Sequence, residues 1–141
     1  MTQINICSWN INLGLKLEKI LSQIEEQKDF TDLDFLLLQE ASIQNGQEDA
    51  LTIAQKLGKN HLHLQSISQQ IRKRPQSNAI IWNPAKFALK TAWSTPLPKY
   101  RSTALPKREN YLLKFFKPQT RTALMAQGTF DILTMRIYSI H

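Results

Sequence analysis

The sequence predicts a mixed α/β fold of α+β type, a mixed sheet covered by helices. Three observations carry this. In the N-terminal part, short runs of β-formers alternate with segments of helical apolar spacing. The later part reads as several strands with little helix, which calls for a mixed rather than a parallel sheet. Polar residues recur at strand ends: Asn10, Glu40, Asn78 and His141. Polar groups gathered at strand ends are how such scaffolds build a site.

The elements follow in order. Ile4–Trp9 reads as a strand, with Ile4 and Ile6 on one face. Leu15, Leu17, Ile20, Leu21 and Ile24 then follow helical spacing, with Gly14 just before them. Asp32-Leu33-Asp34 breaks the pattern. The continuous apolar run Phe35–Leu38 suits a strand buried on both faces. Asn45-Gly46 is a turn, and Gln47–Leu57 a second helix with Leu51, Ala54 and Leu57 inward and Gly58 as its stop. His61–Ser66 alternates at period two, Arg72–Pro75 reads as a charged loop, and Ala79–Trp82 as a strand closed by an Asn83-Pro84 turn. Phe87–Trp93 is the next strand. The stretch holding Pro96, Pro98, Lys99, Arg101, Pro106, Lys107 and Arg108 reads as a basic loop. Thr120–Gln127 and Phe130–Ile140 flank Gly128-Thr129, a hairpin signal.

A chain of 141 residues with 42% hydrophobic and 21% charged residues is globular in composition and long enough to bury a core. Its one cysteine, Cys7, lies in an apolar strand pattern and reads as a small buried residue. The absence of an internal disulfide fits a reducing compartment. The N-terminus lacks a basic, then apolar, leader pattern, and no apolar run reaches the ~18 residues of a membrane span, so a cytoplasmic protein is expected. Charge is uneven: residues 1–49 hold nine acids and three bases, the remainder two acids and fifteen bases, or −6 against +13. The basic second part favours a polyanionic partner such as nucleic acid or an anionic lipid surface. Equally, a missing acidic part could restore balance.

Four strings gather the polar strand ends: Ser8-Trp9-Asn10-Ile11, Leu38-Gln39-Glu40, Ser77-Asn78-Ala79-Ile80 and Tyr138-Ser139-Ile140-His141. In this order, with Asn83-Pro84 after the third and Arg121 opening the next strand, the chain resembles the first half of the endonuclease/exonuclease/phosphatase superfamily, the DNase I-like metal-dependent phosphoesterases. The resemblance runs from Ile4 to His141. It implies a four-layer sandwich of two mixed β-sheets flanked by helices, truncated after its first half, with residues 1–141 as the N-terminal portion of one domain. It implies a Mg²⁺- (or Mn²⁺-) dependent hydrolase of phosphate esters, with nucleic acid as the expected substrate. By the same resemblance Glu40 binds the divalent metal, Asn10 orients metal and phosphate beside it, and His141 donates to the phosphate. Such donors stabilise charge developing on phosphoryl oxygens. Arg121 and Asn78 are candidate substrate contacts, although Arg121 equally suits an ion pair and Asn78 a backbone tether at a strand start. His61 and His63 share a strand face, but without a third ligand they read as ordinary polar contacts. Trp82 and Trp93 read as core.

The family pattern continues with a Gly-Asp-x-Asn string and ends with a Ser-Asp-His string, and neither occurs in this chain. By the resemblance, these hold the attacking water and supply the general base. The chain alone is therefore expected to be inactive. If the second sheet comes largely from the missing half, the inner face of the first is bare, and the chain alone is expected to be molten, poorly soluble or oligomeric. Two other functions fit: a non-catalytic nucleic-acid-binding remnant, and a phosphoesterase of lipid or inositol phosphates. Ala41-Ser42 after the Gln-Glu pair departs from the continuation usual in abasic-site endonucleases and puts that branch in doubt.

Overall fold

The computed structural model describes residues 3–58, 60–71, 73–97 and 121–140. Strand β1 (Ile6–Asn10) is followed by a 3-10 turn (Asn12–Gly14) and helix α1 (Leu17–Glu26). Then come β2 (Phe35–Ala41), the short hairpin β3 (Ile43–Gln44) and β4 (Gln47–Glu48), and helix α2 (Asp49–Leu57). Five longer strands complete the order: β5 (Leu62–Ile71), β6 (Arg74–Trp82), β7 (Phe87–Pro96), β8 (Thr122–Phe130) and β9 (Leu133–Ile140).

The first sheet has the order β1-β2-β6-β5, with β1 parallel to β2 and the other pairs antiparallel. The second is the antiparallel sheet β7-β8-β9. On one face of the first sheet lie both helices. Ile20 and Ile24 of α1 and Ala50, Ile53 and Ala54 of α2 pack on Leu36, Leu38, Ala79 and Ile81. Leu57 joins this layer. Leu51, expected to point inward, is only half-buried, and Ala50 and Ile53 take its place. A Lys56–Glu25 ion pair links the two helices.

On the other face the two sheets meet. Phe35, Ile80 and Trp82 pack against Phe87, Leu124, Ala126, Phe130 and Ile137. The Phe35 and Phe87 rings meet edge to face with centroids 5.0 Å apart, and Trp82 and Phe87 at 6.3 Å. The chain therefore supplies its own second sheet. The expected bare inner face is wrong: β7, β8 and β9 cover it. Three layers are present among the described residues: helices, first sheet, second sheet. The outer face of the second sheet carries the cross-strand row Trp93, Met125 and Tyr138, next to Ile140. Tyr138 and Ile140 are exposed.

Three local readings change with the structure. The charged loop expected at 72–75 gives way to strand in its second half, because β6 begins at Arg74 and Pro75 pairs with Gln70. Gly128 is not in the β8–β9 turn, which falls at Asp131-Ile132. It sits opposite Leu89 beside a bulge in β7, where an added Cβ would strike the Ala88 carbonyl and the Phe87 ring. Most of the basic loop expected between Pro96 and Arg108 lies outside the described residues.

Candidate functional site

The site is best read from the bulge in β2. Pairing with β6 runs regularly from Phe35↔Trp82 to Leu38↔Ala79, then skips to Ala41↔Ser77. The intervening Glu40 has φ 54°, a left-handed conformation unusual for a residue with a side chain. The bulge frees Glu40 from the strict alternation of the strand, so its half-buried carboxylate stands at the end of the sheet. Strain of this kind gathers at functional sites and persists only where the surroundings enforce it.

Ser42 provides that enforcement, and its polar groups are used in full. Its N–H donates to Asp49 Oδ2 (2.8 Å) and its hydroxyl to the Pro75 carbonyl (2.9 Å). Its carbonyl accepts from the Asp49 N–H (3.0 Å) and from Gln65 Nε2 (3.0 Å). Asp49, in the first turn of α2, is 1% exposed. Burial pushes its carboxyl up from the ordinary carboxylate range, opposed by the Ser42 N–H, the Gln44 amide and the charge of Arg74. Gln44 Nε2 reaches Asp49 Oδ1 at 3.0 Å and the Gly14 carbonyl at 3.1 Å. Gly14 has φ 61°, and a Cβ there would collide with Asp49 Oδ2. The buried carboxylate thus fixes two loops at once: the turn after Glu40 and the turn after Asn10.

That second turn is itself strained. Asn12 and Leu13 also have positive φ, 49° and 58°. Asn10 pairs with Gln39, and the Ile11 N–H bonds the Gln39 carbonyl at 3.0 Å, so Asn10 stands beside the Gln39-Glu40 end of β2. Asn10 is exposed, and its Oδ1 accepts from the Asn12 N–H at 2.9 Å. Ser8 and Gln39 hydrogen-bond behind it.

The end of β9 arrives at the same place. The Ser139 hydroxyl donates to the Leu38 carbonyl (2.9 Å) and lies 3.5 Å from Gln39 Nε2. His141 falls outside the described residues, but Ser139, two positions earlier, lies against the strand end that carries Glu40. Asn78 is fully buried in β6, and its Nδ2 donates to the Thr122 carbonyl at 2.6 Å. It bridges the two sheets, the tether role weighed for it from sequence. Arg121 is exposed at the threshold of β8, and its carbonyl accepts from the Leu97 N–H.

Other expected contacts resolve simply. His63 Nε2 lies 2.9 Å from Glu48 Oε2, and burial lowers the pKa of His61 against the opposing effect of the Gly58 carbonyl. Among the described residues, no three His, Cys, Asp or Glu side chains cluster to hold a metal. Trp82 is core, whereas Trp93 lies on the outer face of the second sheet. Cys7 is half-buried against the helical layer, and burial raises its thiol pKa. No helix among the described residues is long and apolar enough to cross a membrane.

Sequence reasoning named the strand-end residues but missed Asp49, Ser42, Gln44 and Gly14. One signal was present: an acid at the first turn of the helix right after an Asn-Gly hairpin, seven positions from Ser42.

No family model and no curated protein matches the chain. Solved structures do. An endonuclease/exonuclease/phosphatase family protein from Leptotrichia buccalis superposes at TM-score 0.69 and 13% identity, over 99% of this chain and 53% of that one. A Bacteroides thetaiotaomicron protein of the same family matches at TM-score 0.64 and 10% identity, over 97% and 48%. D. rerio TDP2, solved with a single-strand DNA product, matches at TM-score 0.58 and 16% identity, over 96% and 44%. The chain spans about half the length of these structures. It has the DNase I-like α/β fold of the endonuclease/exonuclease/phosphatase proteins.

Proposed function

We propose that this chain carries the metal- and phosphate-binding end of a phosphoesterase that hydrolyses phosphate esters, with nucleic acid as the substrate class. One observation carries the reading. Glu40, held at positive φ by a buried network, stands beside Asn10 at the strand end against which Ser139 packs. An exposed amide and a half-buried carboxylate offer oxygen donors to a hard divalent cation, and Mg²⁺ or Mn²⁺ with water completing its shell fits one carboxylate plus one amide. When bound, such an ion polarises a phosphoryl oxygen and supports the leaving group.

The chain's own residues do the rest. Glu40 supplies the negative charge that selects a cation. The Asn10 amide orients the ion and the phosphate beside it. His141 donates to a phosphoryl oxygen, and Arg121, exposed just ahead of β8, meets the anionic substrate. The similar solved structures support the reading by type: they include a 2',3'-cyclic phosphatase, a mannosyl-6-phosphatase and TDP2 with a DNA product. The water-positioning and general-base strings of the family pattern are not in these 141 residues. They would have to come from a further part of the same domain.

The test is cation binding, which needs no turnover. Mn²⁺ titration followed by electron paramagnetic resonance is expected to show one site. Glu40→Gln should weaken it by roughly tenfold or more, the scale seen when the support of a metal site is altered. Equal Mn²⁺ affinity in the variant would remove Glu40 from the site and the reading with it.

A further inference from the structure

Beside Asn10 the surface opens into a cleft of about 260 Å³ between the end of β1 and the first turns of α1. Its walls include Trp9, Asn10, Asn12, Lys16, Lys19 and Gln23. Lys19 and Gln23 lie one turn apart on α1, and Lys16 caps its start with non-helical backbone; all three line the cleft. Neither lysine has an acidic partner among the described residues. This is unexpected where it occurs. Residues 1–49 carry nine acids and only three bases, yet two of those bases border this one cleft. The cleft is a local cationic feature in an acidic stretch. Its rim, Asn12, has positive φ in the strained turn that Gln44 and Asp49 hold through Gly14, so the cleft is preformed.

We propose that this cleft is a subsite for the phosphate next to the reacting one on a single nucleic-acid strand. The inference rests on the phosphoesterase reading, because it takes Asn10 as the border between the two phosphates. Lys16 and Lys19 supply charge for the phosphate, and they do so as mobile point charges rather than as a fixed fork. Asn12 and Gln23 offer amides that can donate to a phosphate or a base edge, and Trp9 forms an apolar wall on which a sugar or base can rest. A lone phosphomonoester has no group to place here. The subsite therefore selects a chain of phosphodiesters over a single phosphate.

The test measures strand binding with the metal chelated, so that cleavage plays no part. Fluorescence anisotropy with a labelled single-stranded oligodeoxythymidylate is read across a series of salt concentrations. Two phosphate contacts on a single strand contribute about 1.4 to the slope of log affinity against log salt, at ~0.7 each. Lys16→Gln/Lys19→Gln should reduce the slope by about 1.4 and weaken binding about 25-fold near 0.1 M salt. Lys16→Arg/Lys19→Arg should restore both. Inorganic phosphate competing for Mn²⁺-loaded protein should be unaffected by either change. The proposal is overturned by an unchanged slope in the Gln variant, by no strand binding in the parent, or by lysine-dependent binding to phosphoinositide vesicles in place of the strand. If Glu40→Gln keeps full Mn²⁺ affinity while the lysine dependence holds, the phosphoesterase reading fails and the strand site stands.

Discussion

Asp49→Asn is the perturbation that most directly probes how the site is held. Asp49 accepts from two different donors, the Ser42 N–H through Oδ2 and the Gln44 amide through Oδ1. Asparagine has one carbonyl oxygen, so it can satisfy one of them, and its own NH₂ then faces the other donor. Ser42 is fully buried, so the abandoned N–H has no water to turn to. Losing one charge-assisted hydrogen bond and stranding one buried donor costs about 2–4 kcal/mol, partly offset by no longer burying a charge. The pH dependence adds a second signature. Burial raises the Asp49 pKa above its unfolded value, so folding takes up a proton between the two values. The stability that wild type holds over the variant is therefore greatest in acid. It declines as the pH rises from the unfolded carboxylate range through the higher folded value, and is flat above that. Urea unfolding of both proteins across this range reads the difference directly, and hydrogen exchange at the Ser42 amide reads the bond itself. A variant within 0.5 kcal/mol of wild type near neutrality, or a difference that grows with rising pH, would refute the account of the network.

Two further outcomes are expected. Gly128→Ala should destabilise the fold by about 1–3 kcal/mol, because its Cβ would meet the backbone carbonyl of Ala88 and the ring of Phe87. Chemical denaturation checks this, and a neutral result would mean the β7 bulge yields easily. The 141-residue chain supplied with Mg²⁺ or Mn²⁺ should not turn over a phosphodiester. Metal-dependent turnover abolished by Glu40→Ala would show that a base exists within these residues.

Much of the first sheet was legible because its strands announce themselves chemically. Phe35–Leu38 is a continuous apolar run buried on both faces, and its end at Gln39-Glu40 is where apolar character stops. Other features were not legible for specific reasons. Asp49 at a helix start has the composition of an ordinary solvated first-turn residue. Only the return of β2 and the Asn-Gly hairpin, which carry Ser42 and Gln44 back over it, make it a buried hub. The Arg72–Pro75 stretch is basic and contains proline, yet proline is tolerated in β6 at Pro75, close to where the strand begins. Gly128 mimicked a turn glycine because periodicity does not reveal that a neighbouring strand bulges toward it. The role of β7, β8 and β9 as the second sheet was misjudged for a related reason. Alternation shows that a strand has two faces, but not which sheet it lies against.

The self-supplied second sheet changes what stabilises the site. Between the sheets, character shifts along one axis. Phe35, Ile80, Trp82, Phe87, Phe130 and Ile137 fill the interior, whereas Ser8, Gln39, Asn78, Thr122 and Ser139 line the end that carries Asn10 and Glu40. The apolar part supplies the burial that drives the sheets together. The polar part fixes their register: Ser139 bonds the Leu38 carbonyl and Asn78 bonds that of Thr122, each donor and acceptor coming from opposite sheets. An apolar surface can slide at little cost, but a directional bond across it cannot. Placing those bonds beside Glu40 rather than deep in the interface pins the sheets where their relative position decides the geometry of the site. A device of this kind suits a site whose residues come from both sheets. That is what the proposed roles of Glu40 and Asn10 on the first sheet, and of Arg121 and His141, which in sequence precede β8 and follow β9, require.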